Sequence, residues 1–83
     1  MKFRKKAVEI EAIQWDGSVD RGQELIDWSH GAVRWTEPLG VNLYIETLEG
    51  TMFVQSNDWV IRGVKGEYYP CKPDIFEATY QAI

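Results

Sequence analysis

The sequence predicts an α+β protein: a small, curled, mostly antiparallel sheet with one helix over about residues 20–29 and a short helical turn near 73–77. Three observations point there. Short runs alternate apolar with polar residues, as half-buried strands do. Turn-forming pairs such as Glu49-Gly50 and Lys65-Gly66 separate the runs. Only one internal stretch, Asp20 to Ser29, places its apolar residues at helical spacing. Eighty-three residues make one domain, 1–83, with the basic segment 1–6 expected to be flexible. A chain of this size buries only ~60–65% of its unfolded surface. One cysteine and one histidine exclude an internal disulfide and a Cys/His zinc cage. Reinforcement falls to aromatic packing or self-association, and eleven aromatics, four of them tryptophan, favour an oligomer.

Ala7 to Trp15 alternates, with Val8, Ile10 and Ala12 facing one way and Glu9 and Glu11 the other. Ile13 and Trp15 fall on the glutamate side, which predicts either a bulge at Ala12-Ile13 or a far end covered on both faces. After the turn Asp16-Gly17-Ser18, Asp20 suits an N-cap with Gln23 as its capping-box partner. Leu25, Ile26 and Trp28 give the helix one apolar side, and Gly31 suits the C′ position. So short a helix must pack on a sheet.

Val33 and Trp35 share a strand face opposite Arg34, and Glu37-Pro38-Leu39-Gly40 breaks the strand. Val41–Leu48 and Thr51–Gln55 form the clearest hairpin, with Glu49-Gly50 as its loop. That register pairs Thr47 with Met52 and Ile45 with Val54, and puts Val41, Leu43, Ile45, Met52 and Val54 on the core face. The opposite face carries Tyr44, Glu46, Leu48 and Phe53, too apolar to be left in water, so a rolled-over sheet or another subunit should cover it. Tyr44, Leu48 and Phe53 are the candidate interface.

Ser56-Asn57-Asp58 turns the chain into Trp59-Val60-Ile61-Arg62, with Asp58 capping the turn. Trp59 should be buried, with Ile61 on its face. Gly63 marks a bulge or close approach. Lys65-Gly66 closes a second hairpin into Glu67-Tyr68-Tyr69, and Pro70 makes that strand an edge or its end. Pro73 starts the helical turn through Ile75 and Phe76, and Ala78-Thr79-Tyr80 should leave as an extended tail beside the first strand.

With these residues read, a resemblance can be stated. V-E-I-E-A-I-Q-W near the start, L-E-G-T-M in the middle and D-W-V-I-R-G-V-K-G-E-Y-Y-P-C-K-P-D-I-F-E-A-T-Y at the end resemble a family of very small proteins encoded by tailed bacteriophages and prophages. Residues 18–42 match only in general character. Asn57 stands where that family commonly has glycine, and Ala7 where it commonly has proline. The resemblance implies phage origin and an accessory role, and carries no catalytic residue.

Charge narrows the partners. The formal net charge is −4, but four of the nine basic residues lie between Lys2 and Lys6, so residues 7–83 hold five basic against thirteen acidic residues, a net of −8. Such a body repels a phosphate backbone, which argues against nucleic acid. Glu9 and Glu11 interrupt any signal-peptide core, and no run approaches the ~20 apolar residues of a membrane span. The host-cell cytoplasm is the expected location, and the unpaired cysteine agrees with it.

No catalytic constellation is expected, nor a metal or cofactor. His30 has no nearby partner, and Ser18, Ser29 and Ser56 lack a nucleophile signature. Gly63-Val64-Lys65-Gly66 lacks P-loop spacing. Lys72 could lower the pKa of Cys71, but the cysteine reads as a packed small residue. Two non-enzymatic functions remain. One is a homo-oligomeric interaction module for a host or phage protein. The alternative is a module sequestering an anionic ligand such as a nucleotide, with Arg34, Arg62 and Lys65 pairing its charge and Tyr44, Tyr68 or Trp59 stacking on its base.

Overall fold

The structure, a computed structural model, describes residues 10–80. The basic segment 1–6 and the first three residues of the expected opening strand lie outside the described residues. The architecture is α+β, with six strands and two helices in the order β1 (Glu11–Gln14), α1 (Val19–Trp28), β2 (Val33–Trp35), β3 (Leu43–Thr47), β4 (Gly50–Val54), β5 (Trp59–Arg62), β6 (Tyr68–Cys71) and α2 (Pro73–Thr79). The strands form two antiparallel three-stranded sheets, β1-β5-β6 and β2-β3-β4, rather than one curled sheet. The division falls at the tight turn after β4, where Asn57 takes a φ of 75°. Asparagine tolerates that left-handed conformation better than most residues, and glycine better still, so both suit the position.

The core lies between the sheets. Trp15, Val60 and the partly buried Ile13 and Tyr68 meet Val33, Leu43, Ile45 and Val54 from the second sheet and Leu25 from α1. Tryptophans and tyrosine fill the gaps edge to face, Trp15 on Trp35 at 6.3 Å and Trp28 on Tyr68 at 5.4 Å. Gly22 is buried in mid-helix because the Trp35 ring lies where its Cβ would project. The local helix penalty of glycine is offset by that close approach.

Ser18, not Asp20, caps α1: its Oγ accepts the Arg21 N–H at 3.1 Å, and Asp16 in turn accepts from the Ser18 N–H and hydroxyl. Gln23 donates to Asp27 instead of reaching back to a cap. At the other end His30 (φ 55°), not Gly31, is the first left-handed residue. Its N–H bonds the Asp27 carbonyl and that of Gly31 bonds the Ile26 carbonyl, the paired bonds of a Schellman stop.

β1 and β5 pair without a bulge, Glu11 opposite Arg62 through Gln14 opposite Trp59. Ile13 and Trp15 share the glutamate side because both faces of this sheet are covered. Ile13 and Val60 face the core, whereas Ala12, Ile61 and Trp59 face α2. Trp59 is therefore half-buried in a second, smaller layer, stacked on Phe76 at 4.1 Å, and Ile61 beside it is 0% exposed. α2 runs to Thr79, so of Ala78-Thr79-Tyr80 only Tyr80 is extended; among the described residues it pairs with no strand, β1 pairing with β5 instead, and its hydroxyl meets that of Tyr69 at 3.5 Å.

The β3–β4 hairpin is shifted by two residues from the expected register: Thr47 pairs with Gly50, Ile45 with Met52 and Leu43 with Val54. The loop is Leu48-Glu49, held by the Thr47 hydroxyl, which accepts the Glu49 N–H and donates to the Gly50 carbonyl. A shift of two preserves the faces. Leu43, Ile45 and Val54 are buried as expected, whereas Met52 is partly exposed and Val41 lies outside the strand in solvent. The β5–β6 loop turns at Val64-Lys65, with Gly66 (φ 81°) as its left-handed third residue rather than half of a two-residue turn.

Candidate functional site

Pairing across the second sheet aligns one residue from each strand. Arg34 lies opposite Tyr44 and Tyr44 opposite Phe53, all on the face turned away from the core. Phe53 is 61% exposed and Leu48, at the hairpin tip, is 109% exposed. Among the described residues nothing of the chain covers this face. Beyond it, β4 has, among the described residues, one hydrogen-bonded neighbour, β3, and carries no charged residue from Gly50 to Val54. Charged side chains and prolines commonly protect such an edge from pairing, and β4 has neither.

Arg62 lies across from Tyr68 in the first sheet, its guanidinium 6.0 Å from the ring centroid, with Lys65 in the loop between their strands. It also meets Glu11 at 3.5 Å. Arg34 donates from Nε to the Gly31 carbonyl at 3.0 Å, bracing the end of α1. The anion-binding candidates thus fall into two groups on different sheets: Arg34 with Tyr44, and Arg62 and Lys65 with Tyr68.

A cleft of about 790 Å³ opens between the β3–β4 hairpin and β6. Met52, Tyr68 and Pro70 contribute to its apolar lining beside the buried Ile45, and Glu49 lies among its lining residues, whereas the Glu46 carboxylate is bonded to Thr51 on the outer face of β3 and the Glu67 carboxylate to the Lys65 N–H in the β5–β6 loop. The sequence hid this cleft because β6 is not a hydrogen-bonded neighbour of β3 or β4 and lies far from them along the chain.

Asp58 is a second feature that sequence reading caught only in part. It caps its turn as expected, Oδ2 accepting the Gln55 N–H at 2.9 Å, but it is also 3% exposed and bound by Lys72 at 3.3 Å. Lys72 further donates to Gln55 Oε1, tying the β4–β5 turn to the start of α2. With Lys72 engaged there, Cys71 does not gain an activated thiol. Burial, reinforced by the Asp58 and Asp74 carboxylates, pushes the thiol up from its ordinary value. Ser29 is buried, with Oγ accepting the Val33 N–H and donating to the Ile26 carbonyl, and Ser18 caps a helix. Both serines therefore have structural partners.

Among the described residues no three His, Cys, Asp or Glu side chains cluster to hold a metal ion, and no helix is long and apolar enough to cross a membrane. No protein-family model, no curated protein and no solved structure matches the chain.

Proposed function

We propose that this protein is a non-enzymatic phage or prophage accessory protein, acting in the host-cell cytoplasm as a small, homo-oligomeric protein-interaction module. The observation that carries the reading is the outer face of the second sheet, which no element covers among the described residues. It presents Tyr44 and Phe53 side by side next to an uncharged strand edge. Aromatic side chains supply much of the energy of protein interfaces, and a patch of this kind is costly to leave in water. Phage origin rests on the motif resemblance alone.

Light scattering at micromolar concentration tests the assembly. A dimer or larger species is expected, and Phe53→Glu should reduce it to a folded 9.6 kDa monomer. A wild-type chain that is monomeric at that concentration removes the oligomer from the proposal.

The alternative, capture of an anionic ligand such as a nucleotide, is supported by the Arg62–Tyr68 contact beside Lys65. It ranks second because Glu11 already occupies Arg62 and residues 7–83 carry a net charge of −8, which repels anions. A nucleotide panel that raises the melting temperature, with the rise lost in Arg62→Ala, would reverse that ranking.

A further inference from the structure

The geometry points to the free edge of β4 as a pairing site for β4 of a second copy of this chain. The two strands run antiparallel about a two-fold axis at Met52, which joins two three-stranded sheets into one of six strands. This inference rests on the homo-oligomeric reading and deepens it, by naming the backbone groups through which the copies meet.

The groups that β4 has to offer follow from the register. Along an antiparallel strand, successive residues turn their N–H and C=O alternately to one side and the other. The Thr36 N–H bonds the Asn42 carbonyl at 2.8 Å, so Asn42, Tyr44 and Glu46 turn theirs to the β2 side. Leu43, Ile45 and Thr47 therefore bond to β4, through their partners Val54, Met52 and Gly50. That leaves the N–H and C=O of Thr51 and Phe53 directed to the open edge, with no hydrogen-bond partner among the described residues. The chain itself closes the edge on either side. The Gln55 N–H donates to Asp58 Oδ2 and the Gln55 carbonyl accepts the Asp58 N–H, while the Glu49 N–H donates to the Thr47 hydroxyl. The opening runs only from Thr51 to Phe53.

So short an opening selects its occupant. A strand seated there must turn two residues outward around a central one and keep its own flanks out of the ladder, as β4 of a second copy does. With Met52 opposite Met52, Thr51 of each copy lies opposite Phe53 of the other, and all the open groups pair in four N–H···O=C bonds. Centring the axis on Phe53 or Thr51 gives two such bonds and sets the remaining open residue against Gln55 or Glu49, whose N–H groups are already held. The charges suit the same register. No charged residue lies between Gly50 and Val54, and Glu49 comes opposite Gln55 of the second copy, whose side chain holds the Lys72 ammonium at 2.9 Å. Phe53 keeps its place beside Tyr44, so the outer faces of the two copies become one.

The test is disulfide trapping of a Met52→Cys variant in a Cys71→Ser background, which removes the native thiol. Facing residues of a non-hydrogen-bonded pair bring their Cβ atoms to about 4.5 Å, close enough for a disulfide. Mild oxidation should therefore convert most of the chain to a covalent dimer, and Phe53→Cys in the same background should give several-fold less. Met52→Lys sets like charges across the axis and should weaken assembly at least about tenfold in sedimentation equilibrium. Met52 is partly exposed, so circular dichroism should show this variant folded. Amide exchange should find Thr51 and Phe53 protected in the wild-type assembly and open in the Met52→Lys monomer. Stronger trapping at Phe53 than at Met52, or assembly indifferent to Met52→Lys, would overturn the pairing. So would protection of both amides in the monomer, since the chain itself would then cover the edge. If the pairing fails while Phe53→Glu still dissociates the wild-type assembly, the oligomer stands on the Tyr44/Phe53 face alone; a monomeric wild type removes both.

Discussion

The two sheets are built alike and finished differently. Each has three antiparallel strands, sends one face to the shared core and puts aromatics on the other. The first sheet covers its outer face itself: α2 lays Phe76 on Trp59, and Ile61 is fully enclosed. The second leaves Tyr44 and Phe53 without a covering element among the described residues. Aromatic content alone therefore does not separate core from contact surface. What separates them is whether a later segment returns to cover the face.

The sharpest way to break this contrast is to truncate one aromatic on each outer face. Trp59→Ala should cost about 3 kcal/mol, the low end for a buried aromatic because the ring is only half-buried. Phe53→Ala should cost less than ~0.5 kcal/mol when measured dilute enough to keep the chain monomeric. Equal losses in urea unfolding would show that the faces are not distinct.

A smaller effect tests what holds α2 over the first sheet. Asp58→Ala leaves the Gln55 N–H without its acceptor and removes the only carboxylate bound by Lys72 among the described residues, and should cost about 2 kcal/mol. Lys72→Met should cost less than ~1 kcal/mol, because the lysine end of that pair is solvated. A reversed order would place the strength of the tie on the wrong partner.

Next comes the helix that closes the core between the sheets. Ser18→Ala should destabilise by about 1 kcal/mol and Asp20→Ala by less than ~0.5 kcal/mol. Thermal melts distinguish the two caps directly.

The smallest effect is a pH dependence confined to the covered face. Burial, with the hydrogen bond to Tyr80, raises the Tyr69 phenol from 10 to about 12. The folded state therefore holds this proton more tightly than the unfolded chain does. Its contribution is intact below pH 10 and is lost as pH rises from 10 towards 12. Tyr69→Phe should flatten that part of the alkaline stability curve, and an ultraviolet titration should show one tyrosine ionising late.

Much of the fold was legible because alternation and turn residues act locally. The helix around Leu25, the Leu43/Ile45/Val54 face and the proline-started α2 all followed from spacing. The errors arose where two residues competed for one role. Ser18 and Asp20 are both good caps, and the hydrogen bond from the Arg21 N–H to the Ser18 hydroxyl, itself held by Asp16, decides between them. Glu49-Gly50 was a plausible loop, but the Thr47 hydroxyl moves the turn back to Leu48-Glu49. The mixed faces of β1 needed knowledge of α2, more than sixty residues later. For the candidate surfaces, Tyr44 and Phe53 were visible as an apolar excess, whereas the cleft needed the packing of β6 against a sheet to which it is not hydrogen-bonded.

The second sheet lies wholly within the chain between β1 and β5, and that nesting sets an order of events. β2, β3 and β4 join through short connections, whereas pairing β1 with β5 closes a loop of more than forty residues. Loop closure is slow and costs entropy before its contacts form, so the second sheet should acquire protection first and the first sheet last. Pulse-labelled hydrogen exchange would show amides of β3 protected before those of β1; the opposite order would refute this kinetic reading. During that interval both faces of the early sheet meet solvent, and Phe53 is as available to another nascent chain as to a finished one. If the chain assembles as proposed, that assembly begins before folding ends.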